Sequence, residues 1–175
     1  MTIFNDKNNT KNQSTISGLD TWNKAKELAE KGQEIKAKSL FAIDKDTDSF
    51  NAMMEAARLP KKTDEEKELR EKAMQEATKQ AILVPLETLQ LSLEAVKLSF
   101  EIAQIGNKNA VSDAGVGAVT AYAAALSAYY NVCINMAGIS DETFKEEIVN
   151  KAKQYLEETK KVSSGVEKLI TKLIS

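Results

Sequence analysis

The sequence predicts an all-α protein, an antiparallel bundle of four to five long helices with one helix kinked at Pro85. Only 7 Gly and 2 Pro occur among 175 residues, so the regular elements must be few and long. An all-β domain needs many more turn residues than this. Apolar residues recur at steps of three or four along most of the chain, which is the helical period. A chain of this length is one domain of ordinary size.

The first 17 residues, MTIFNDKNNTKNQSTIS, differ from the rest of the chain in composition. They are rich in Asn, Lys, Thr and Ser and show no apolar period. This composition predicts a disordered polar tail over residues 1–17, followed by a single helical-bundle domain over residues 18–175.

The first long helix is predicted over residues 19–58. Its apolar positions run from Trp22 through Ile43 to Ala57 at steps of three or four, and no breaker occurs before Pro60. At ~1.5 Å per residue, this helix would be about 60 Å long.

The second helix is predicted to begin at Thr63, which stands three residues before Glu66 in a capping box. Its apolar stripe continues past Pro85, and an interior proline kinks a helix or splits it in two. Gly106 is placed to end this helix in a left-handed cap.

The third helix is predicted in an uncharged segment, because residues 114–140 contain no Asp, Glu, Lys or Arg. A helix that is apolar on all sides lies in the centre of a bundle or in a membrane. Small residues dominate the segment, and Leu, Ile and Val are few, which favours a central helix over a membrane span.

The last helix is predicted to begin at a cap formed by Ser140 and Asp141. A single apolar stripe then runs from Phe144 to Leu173, and Lys and Glu occupy most other positions. This pattern is typical of a surface helix that packs on a core.

Composition excludes several classes of function. The 24 Lys+Arg and 26 Asp+Glu give a net charge of −2, which argues against nucleic-acid binding, since phosphate neutralisation needs a surplus of cations. The absence of His excludes Ser-His-Asp catalysis and imidazole-based zinc sites, so proton chemistry falls to carboxylates, Lys, Tyr or Cys133. One Cys cannot form an intramolecular disulfide, and no secretory signal is visible. These features predict a cytoplasmic protein.

Asp46 stands on the apolar stripe of the first helix, between Ile43 and Phe50. A carboxylate on a core-facing row is costly unless it is paired or faces a cavity, and a carboxylate in a cavity suits general acid–base chemistry. The alternative is that the stripe drifts around the helix, because an ideal helix slips against a seven-residue repeat. Asp46 would then be solvated.

Cations surround Pro60 at the predicted end of the first helix. Arg58, Lys61 and Lys62 form either a solvated turn, where cations are favourable beside a helix C-terminus, or an anion clamp for a ligand carboxylate. The pattern alone favours the solvated turn.

Ser112 and Asp113 open the uncharged helix. A Ser cap followed by an acid is ordinary helix chemistry. Gly115 and Gly117 in the first turns are less usual, because each costs about 1 kcal/mol relative to Ala. Glycine at such positions lets a backbone or a ligand come close, so both interpretations stay open.

Asn131 and Asn135 share one face of the uncharged helix because they are four residues apart. Buried amides must be hydrogen-bonded, either to neighbouring helices or to a polar ligand. Cys133 points elsewhere and has no visible base to activate it, which predicts a small buried apolar residue.

Four short segments carry a resemblance to a known family. They are DTDSFNAMMEAARLPK at 46–61, REKAMQEATKQAILVP at 70–85, GNKNAVSDAGVG at 106–117 and NVCIN at 131–135. In this order and spacing they are similar to motifs of the cyclodeaminase/cyclohydrolase family. That family contains the cyclodeaminase domain of formiminotransferase-cyclodeaminase and the helical methenyltetrahydrofolate cyclohydrolases.

The resemblance implies an all-helical subunit that forms a homodimer and binds a reduced folate without a metal or a redox cofactor. It implies one of two reactions: ring closure of formiminotetrahydrofolate with loss of ammonia, or hydration of methenyltetrahydrofolate. Both need proton transfer at a tetrahedral carbon between two nitrogens. Asp46 is then the catalytic acid–base candidate. The implied substrate-binding candidates are Phe50, Arg58 and Lys61 (the last two for the folate glutamate), Ser112, Asp113 and Asn131 (the last two for the pterin), and Asn135.

The sequence departs from the family pattern at the N-terminus. Family members usually begin with a Pro-Gly-Gly-Gly-Ser segment and an Ala-rich helix, where this sequence has the polar residues 1–17. The alternative interpretation is therefore a catalytically inactive helical dimerisation or scaffold protein derived from the same family.

Overall fold

The computed structural model describes residues 18–105 and 111–174. These residues form four long helices and no strand, which confirms the predicted all-α bundle. The predicted tail at residues 1–17 and the predicted cap at Gly106 lie outside the described residues. The elements are α1 (Gly18–Arg58), α2 (Asp64–Ile105), α3 (Val111–Asn135), a 3-10 turn (Met136–Gly138) and α4 (Glu142–Ile174).

The order of ion pairs shows that α1 and α2 run antiparallel. Lys24, near the start of α1, lies 3.1 Å from Glu101 near the end of α2 (Nζ to Oε2). Lys45, further along α1, lies 2.7 Å from Glu87, which comes earlier in α2. These pairs connect the same two edges of the helices, so they favour one register of α1 against α2.

Helix α2 is the centre of the bundle, because it packs against each of the other three helices. It continues through Pro85 as one helix, with buried side chains on several sides. The prediction that the uncharged helix is central is therefore wrong. Helix α3 buries one face, through Ala118, Ala125 and Val132 among others, and leaves apolar side chains exposed on the other.

The main core lies where α2, α3 and α4 meet. Large aliphatic side chains of α2 pack against small residues of α3, so the two helix backbones can approach closely. The cluster consists of Ile82, Leu86, Leu89, Ala125, Ala128, Val132, Met136, Ile139, Ile148 and Ala152. Burial of this apolar surface is the dominant favourable term in the stability of the bundle.

The buried row of α1 differs from the apolar stripe that the sequence suggests. The buried residues are Leu28, Ala42, Ser49 and Ala56, which follow a seven-residue repeat. Against an ideal helix such a row drifts by about 20° per heptad, so it moves away from residues spaced at the helical period. The predicted stripe is consequently exposed over much of its length, with Trp22 68% exposed.

Two predicted helix starts are confirmed by hydrogen bonds. Thr63 Oγ1 accepts from the Glu66 N–H at 3.2 Å, and Glu66 Oε2 accepts from the Thr63 N–H at 3.2 Å, which forms the capping box. Asp141 Oδ1 accepts from the Phe144 N–H at 3.0 Å and so caps α4.

The α3–α4 connection is held to α2 by Gln75 and Lys79. Gln75 Nε2 donates to the Gly138 carbonyl at 2.9 Å, and Gln75 Oε1 accepts from the backbone N–H and the hydroxyl of Ser140 at 3.0 and 3.1 Å. Lys79 of α2 adds an ion pair with Asp141 at 2.9 Å. The start of α4 is thereby tied to the first half of α2.

None of the helices formed by residues 18–105 and 111–174 combines the length and the apolarity needed to cross a membrane. This finding includes α3, whose uncharged sequence raised the question. Its many Ala residues and its Ser, Thr and Asn side chains keep the helix below the hydropathy of a bilayer span.

Candidate functional site

The candidate site is a cleft of about 410 Å³ between α1 and α3, with α2 as its floor, here called the α1–α3 cleft. Helix α2 separates the other two helices at this level, so their facing side chains line an open space. The lining residues are Ser39, Ala42, Ile43, Asp46 and Thr47 from α1, Val84, Pro85 and Thr88 from α2, and Ala124, Ser127, Ala128 and Asn131 from α3.

Asp46 and Asn131 line the α1–α3 cleft from opposite walls, on α1 and α3 respectively. Neither the Asp46 carboxylate nor the Asn131 amide forms a hydrogen bond or an ion pair with another residue in the described part of the chain. Both side chains are exposed, so they are solvated rather than buried without a partner. Both interpretations of Asp46 are therefore correct: the apolar stripe of α1 drifts and leaves the side chain solvated, and the side chain also lines a cleft.

The hydroxyl groups of the cleft already donate their hydrogens to their own helices. Ser39, Thr47, Thr88 and Ser127 each donate to the carbonyl four residues earlier, at 2.8, 3.1, 3.2 and 2.9 Å. Each oxygen keeps acceptor capacity, because a hydroxyl has one hydrogen and two lone pairs. Together with the Asp46 carboxylate they make the cleft rich in acceptors, and the Asn131 amide supplies its side-chain donors.

Asn135 does not line the cleft, although it lies one turn from Asn131. Its Nδ2 donates to the Ala81 carbonyl at 2.9 Å. The amide thus bonds to a neighbouring helix, one of the two outcomes that the sequence left open. Its assignment to substrate binding is not supported by any contact in the structure and stays a prediction.

The structure places three predicted substrate-binding residues, Phe50, Arg58 and Lys61, outside the lining of the cleft. Phe50 lies one turn beyond Asp46 on α1 and is 61% exposed. Arg58 is the last residue of α1, about 18 Å along the helix axis from Asp46, and Lys61 follows in the connection to α2. None of the three lines the cleft, and their roles stay predictions.

Ser112 and Asp113 lie at the opposite end of the bundle, in the first turn of α3. They are about 27 Å along the helix axis from Asn131. Ser112 lines a separate groove of about 400 Å³ between α3 and α4. Within one chain, the structure therefore does not bring these two residues together with Asp46.

The glycines that follow Ser112 serve helix packing. A Cβ added at Gly115 would lie 3.2 Å from Ile170 Cδ1 of α4, and one added at Gly117 would lie 3.1 Å from Ser99 Oγ of α2. Both distances are tighter than ordinary van der Waals contact. The two glycines thus leave room for side chains of the neighbouring helices, Ile170 of α4 and Ser99 of α2.

Cys133 is exposed, so its prediction as a buried residue is wrong. It lies on the outer side of α3, because the buried row of that helix runs through Ala125, Ala128 and Val132. A hydrogen bond with Cys133, together with burial, raises the pKa of Tyr129. Within residues 18–105 and 111–174, no three His, Cys, Asp or Glu side chains are grouped so that they could hold a metal ion.

The cleft hydroxyls were missed by the sequence analysis, although a signal for them exists. Ser39 and Asp46 are one heptad apart on α1, and Ser127 and Asn131 are one turn apart on α3. Residues at these spacings share a helix face. A search for polar residues on the same face as the two candidates would have found them.

The fold and the cleft define an all-α bundle with an acceptor-rich cleft between its first and third helices. The same fold occurs in the crystal structure of formiminotetrahydrofolate cyclodeaminase from Thermotoga maritima, which matches 95% of this chain and 78% of that chain with a TM-score of 0.78 and 22% sequence identity. The family model for formiminotransferase-cyclodeaminase matches residues 8–154. The chain belongs to this family.

Two relatives illustrate the similarity. Methenyltetrahydrofolate cyclohydrolase of Methylorubrum extorquens is 41% identical over 122 residues, which is 70% of this chain and 59% of the relative. Formimidoyltransferase-cyclodeaminase of Gallus gallus is 41% identical over 131 residues, which is 74% of this chain and 24% of the relative. The chain thus spans about three-fifths of the former and about a quarter of the latter.

Proposed function

We propose that this protein binds a reduced folate in the α1–α3 cleft and acts on its one-carbon group, with Asp46 as the general acid–base. The observation that carries the proposal is the pair of polar side chains without described partners, Asp46 and Asn131, on facing walls of one cleft. Family membership supports the substrate class, since relatives are named as cyclodeaminase and cyclohydrolase. The reaction is one of these two.

Both reactions need a group that accepts one proton and donates another, and a carboxylate can do both. In hydration, a water oxygen bonds to the methenyl carbon and loses a proton. One carbon–nitrogen bond then breaks as its nitrogen gains a proton, and the hydroxyl loses its remaining proton to solvent as the formyl carbonyl forms. In deamination, the folate amine nitrogen outside the pterin ring bonds to the formimino carbon and loses its proton. The formimino nitrogen gains that proton and a second one from solvent, and it leaves as ammonia. Asp46 can accept the first proton and return the second, and no imidazole is required. Its negative charge also favours the positive charge on the amidinium-like carbon.

The polar groups of the cleft suit a pterin ring. A reduced pterin carries an amino group and several ring N–H groups, all of which are donors. The acceptor-rich walls, formed by the hydroxyls of Ser39, Thr47, Thr88 and Ser127, can receive them. Asn131 can both donate to and accept from the ring. The apolar contacts come from Ile43, Val84 and Pro85.

The remainder of the folate is proposed to follow α1 toward its C-terminal end. Phe50 is exposed one turn beyond Asp46, in the direction that leads to Arg58 and Lys61. These two cations are the candidates for the glutamate carboxylates, because charge-assisted hydrogen bonds to carboxylates are among the strong ones. No residue of this path needs a metal or a redox cofactor for its role.

A second copy of the chain is the proposed partner. Apolar side chains on the outer sides of α1 and α3 are exposed, and large exposed patches of this kind mark association sites. On α3 they include Val116 at 66% and Ile134 at 72% exposed; on α1 they include Trp22 and Leu40. A homodimer through these surfaces would cover them and shield the cleft that they flank.

The second candidate function is a catalytically inactive dimerisation or scaffold protein. The same exposed apolar surfaces favour it, because they serve association whether or not the cleft is active. The two candidates differ in Asp46: a scaffold does not need this carboxylate, whereas the enzyme does.

The test is the loss of the methenyltetrahydrofolate absorbance band on addition of the purified protein. We expect faster loss than in buffer, and we expect Asp46→Asn to reduce turnover by at least a hundredfold, since general acid–base groups contribute about 10²–10⁴-fold. The fold should be retained, because the side chain is exposed and forms no hydrogen bond or ion pair within residues 18–105 and 111–174 that the substitution would break.

Asp44→Asn is the matched control, because Asp44 is an exposed acid of α1 that does not line the cleft. It should retain wild-type turnover. Equal activity of Asp46→Asn and the wild type would remove Asp46 from the proposal. If the wild type is inactive, ammonia release from formiminotetrahydrofolate is measured next, and inactivity there as well would favour the scaffold.

A further inference from the structure

Pro85 creates a defect in α2 directly beneath the α1–α3 cleft. A proline has no backbone N–H, so the carbonyl four residues earlier loses its helical partner. That carbonyl belongs to Ala81, which is buried. A buried carbonyl without a hydrogen bond is costly, and helices that continue through a proline need another donor at this point.

Asn135 supplies that donor from another helix. Its Nδ2 lies 2.9 Å from the Ala81 carbonyl oxygen. Asn135 is the last residue of α3 and is half-buried, and its side chain does not cap the following 3-10 turn. The Asn135 amide therefore donates a hydrogen bond to the carbonyl that Pro85 leaves without a helical partner.

The bond joins α2 to α3 next to the residues with which these two helices line the cleft. On α2, Val84, Pro85 and Thr88 form the floor just beyond Ala81; on α3, Asn131 stands on the wall one turn before Asn135. A hydrogen bond to a single carbonyl favours one axial position of α3 against α2. A slide of α3 by one helical turn, about 5.4 Å, would break it.

We propose that Asn135 is a positioning residue, which replaces the missing N–H of Pro85 and thereby holds Asn131 at a defined place over the cleft floor. This inference rests on the proposed function for its catalytic consequence, but the positioning itself can be measured without substrate. It also reassigns Asn135 from contact with the folate to support of the residue that makes the contact.

The test measures the effect of Asn135→Leu in two backgrounds, the wild type and Pro85→Ala. In the second background the substituted alanine restores a backbone N–H to the Ala81 carbonyl, so the Asn135 amide becomes dispensable. We expect Asn135→Leu to speed amide hydrogen exchange in residues 125–135 by about tenfold in the Pro85 background, as expected for loss of a buried hydrogen bond. In the Pro85→Ala background the change should be below about twofold.

Turnover of methenyltetrahydrofolate provides the second readout. Misplacement of Asn131 on the α3 wall of the cleft lowers the rate of the chemical step. We therefore expect Asn135→Leu to lower kcat by about tenfold when Pro85 is present, and by less than about twofold in the Pro85→Ala background. A residue that contacts the folate directly would instead lose the same factor in both backgrounds. The matched control is Asn150→Leu, at an exposed position of α4, which should change neither readout.

Equal effects of Asn135→Leu on hydrogen exchange in both backgrounds, or no effect in either, would overturn the inference. Inactivity of the wild type would overturn the proposed function alone, since the exchange experiment still decides the positioning. If Asn135→Leu does not fold with Pro85 present, Asn135→Ser replaces it. Recovery of folding in the double variant Pro85→Ala/Asn135→Leu would then support the inference.

Discussion

At the scale of single residues, the proposed site depends on two polar side chains, Asp46 and Asn131. Each breaks the apolar pattern of its helix, and each lines the same cleft without a described partner. Asn135 breaks the pattern as well, but its amide is used inside the fold. The three residues look alike in the sequence, and only their hydrogen-bond partners separate them.

The stability of the protein is expected to depend on pH through the carboxylate of Asp141. The hydrogen bond from the Phe144 N–H and then the bond from Lys79 hold the pKa of Asp141 below its ordinary value of 3.8. The folded state therefore favours the charged form. The resulting stability is complete above the pKa of the unfolded chain and is lost as the pH falls through the lower pKa of the folded protein.

Thermal unfolding of the wild type and Asp141→Asn between pH 6 and pH 2 measures this contribution. We expect the wild type to have the higher Tm at pH 6 and the difference to shrink below about pH 4. In the Lys79→Met background the difference at pH 6 should be smaller, because one of the two causes has been removed. A difference that does not change with pH would contradict the prediction.

At the scale of helices, the seven-residue repeat of α1 explains both its packing and its exposed surface. The buried row through Leu28, Ala42, Ser49 and Ala56 follows α2, with Lys24 and Lys45 paired to α2 along one flank. The opposite flank carries the apolar residues that the helical period selects. Helix α1 is therefore apolar on a wider arc than its contact with α2 requires.

Gln75 allows a test of how the helices are joined. It bonds to Gly138 and Ser140 in the α3–α4 connection, so Gln75→Ala leaves backbone groups of that connection without their partners. We expect a loss of about 1–2 kcal/mol in the free energy of unfolding, measured by urea denaturation. Gln104→Ala, at an exposed position near the end of α2, is the control and should change stability by less than about 0.5 kcal/mol. Equal losses in the two variants would show that the connection does not depend on Gln75.

At the scale of the whole molecule, the exposed apolar side chains of α1 and α3 are the main feature that one chain leaves unexplained. A stable interface buries about 800 Å² on each partner, and long helix faces can supply such an area. The proposed homodimer accounts for the absence of charge beyond Asp113 on the outer side of α3 as well as on its buried side.

Ile134→Glu tests the homodimer. The side chain is 72% exposed on α3, so the substitution should leave the fold intact while it places a charge in the interface. By sedimentation velocity at micromolar concentration, we expect the wild type to be dimeric and Ile134→Glu to be monomeric. Leu69→Glu, an exposed leucine near the start of α2, should stay dimeric. A monomeric wild type would contradict the proposal.

The helices, their capped starts at Thr63 and Asp141, and the candidates Asp46 and Asn131 could all be predicted from the sequence. These features depend on local physics: helical hydrogen bonds and caps join residues at most four positions apart, and an apolar period reports the faces of one helix. The motifs of the family are similarly local, so they could be recognised before the helices were packed.

The packing of the helices could not be predicted in the same way: which face of each helix is buried, the central place of α2 rather than α3, and the bond from Asn135 to the carbonyl of Ala81. The same holds for the distance of Ser112 and Asp113 from Asp46 in one chain. These features depend on pairs of helices whose residues are tens of positions apart. An apolar face, an amide or a glycine can be satisfied by several neighbours, and packing selects one of them.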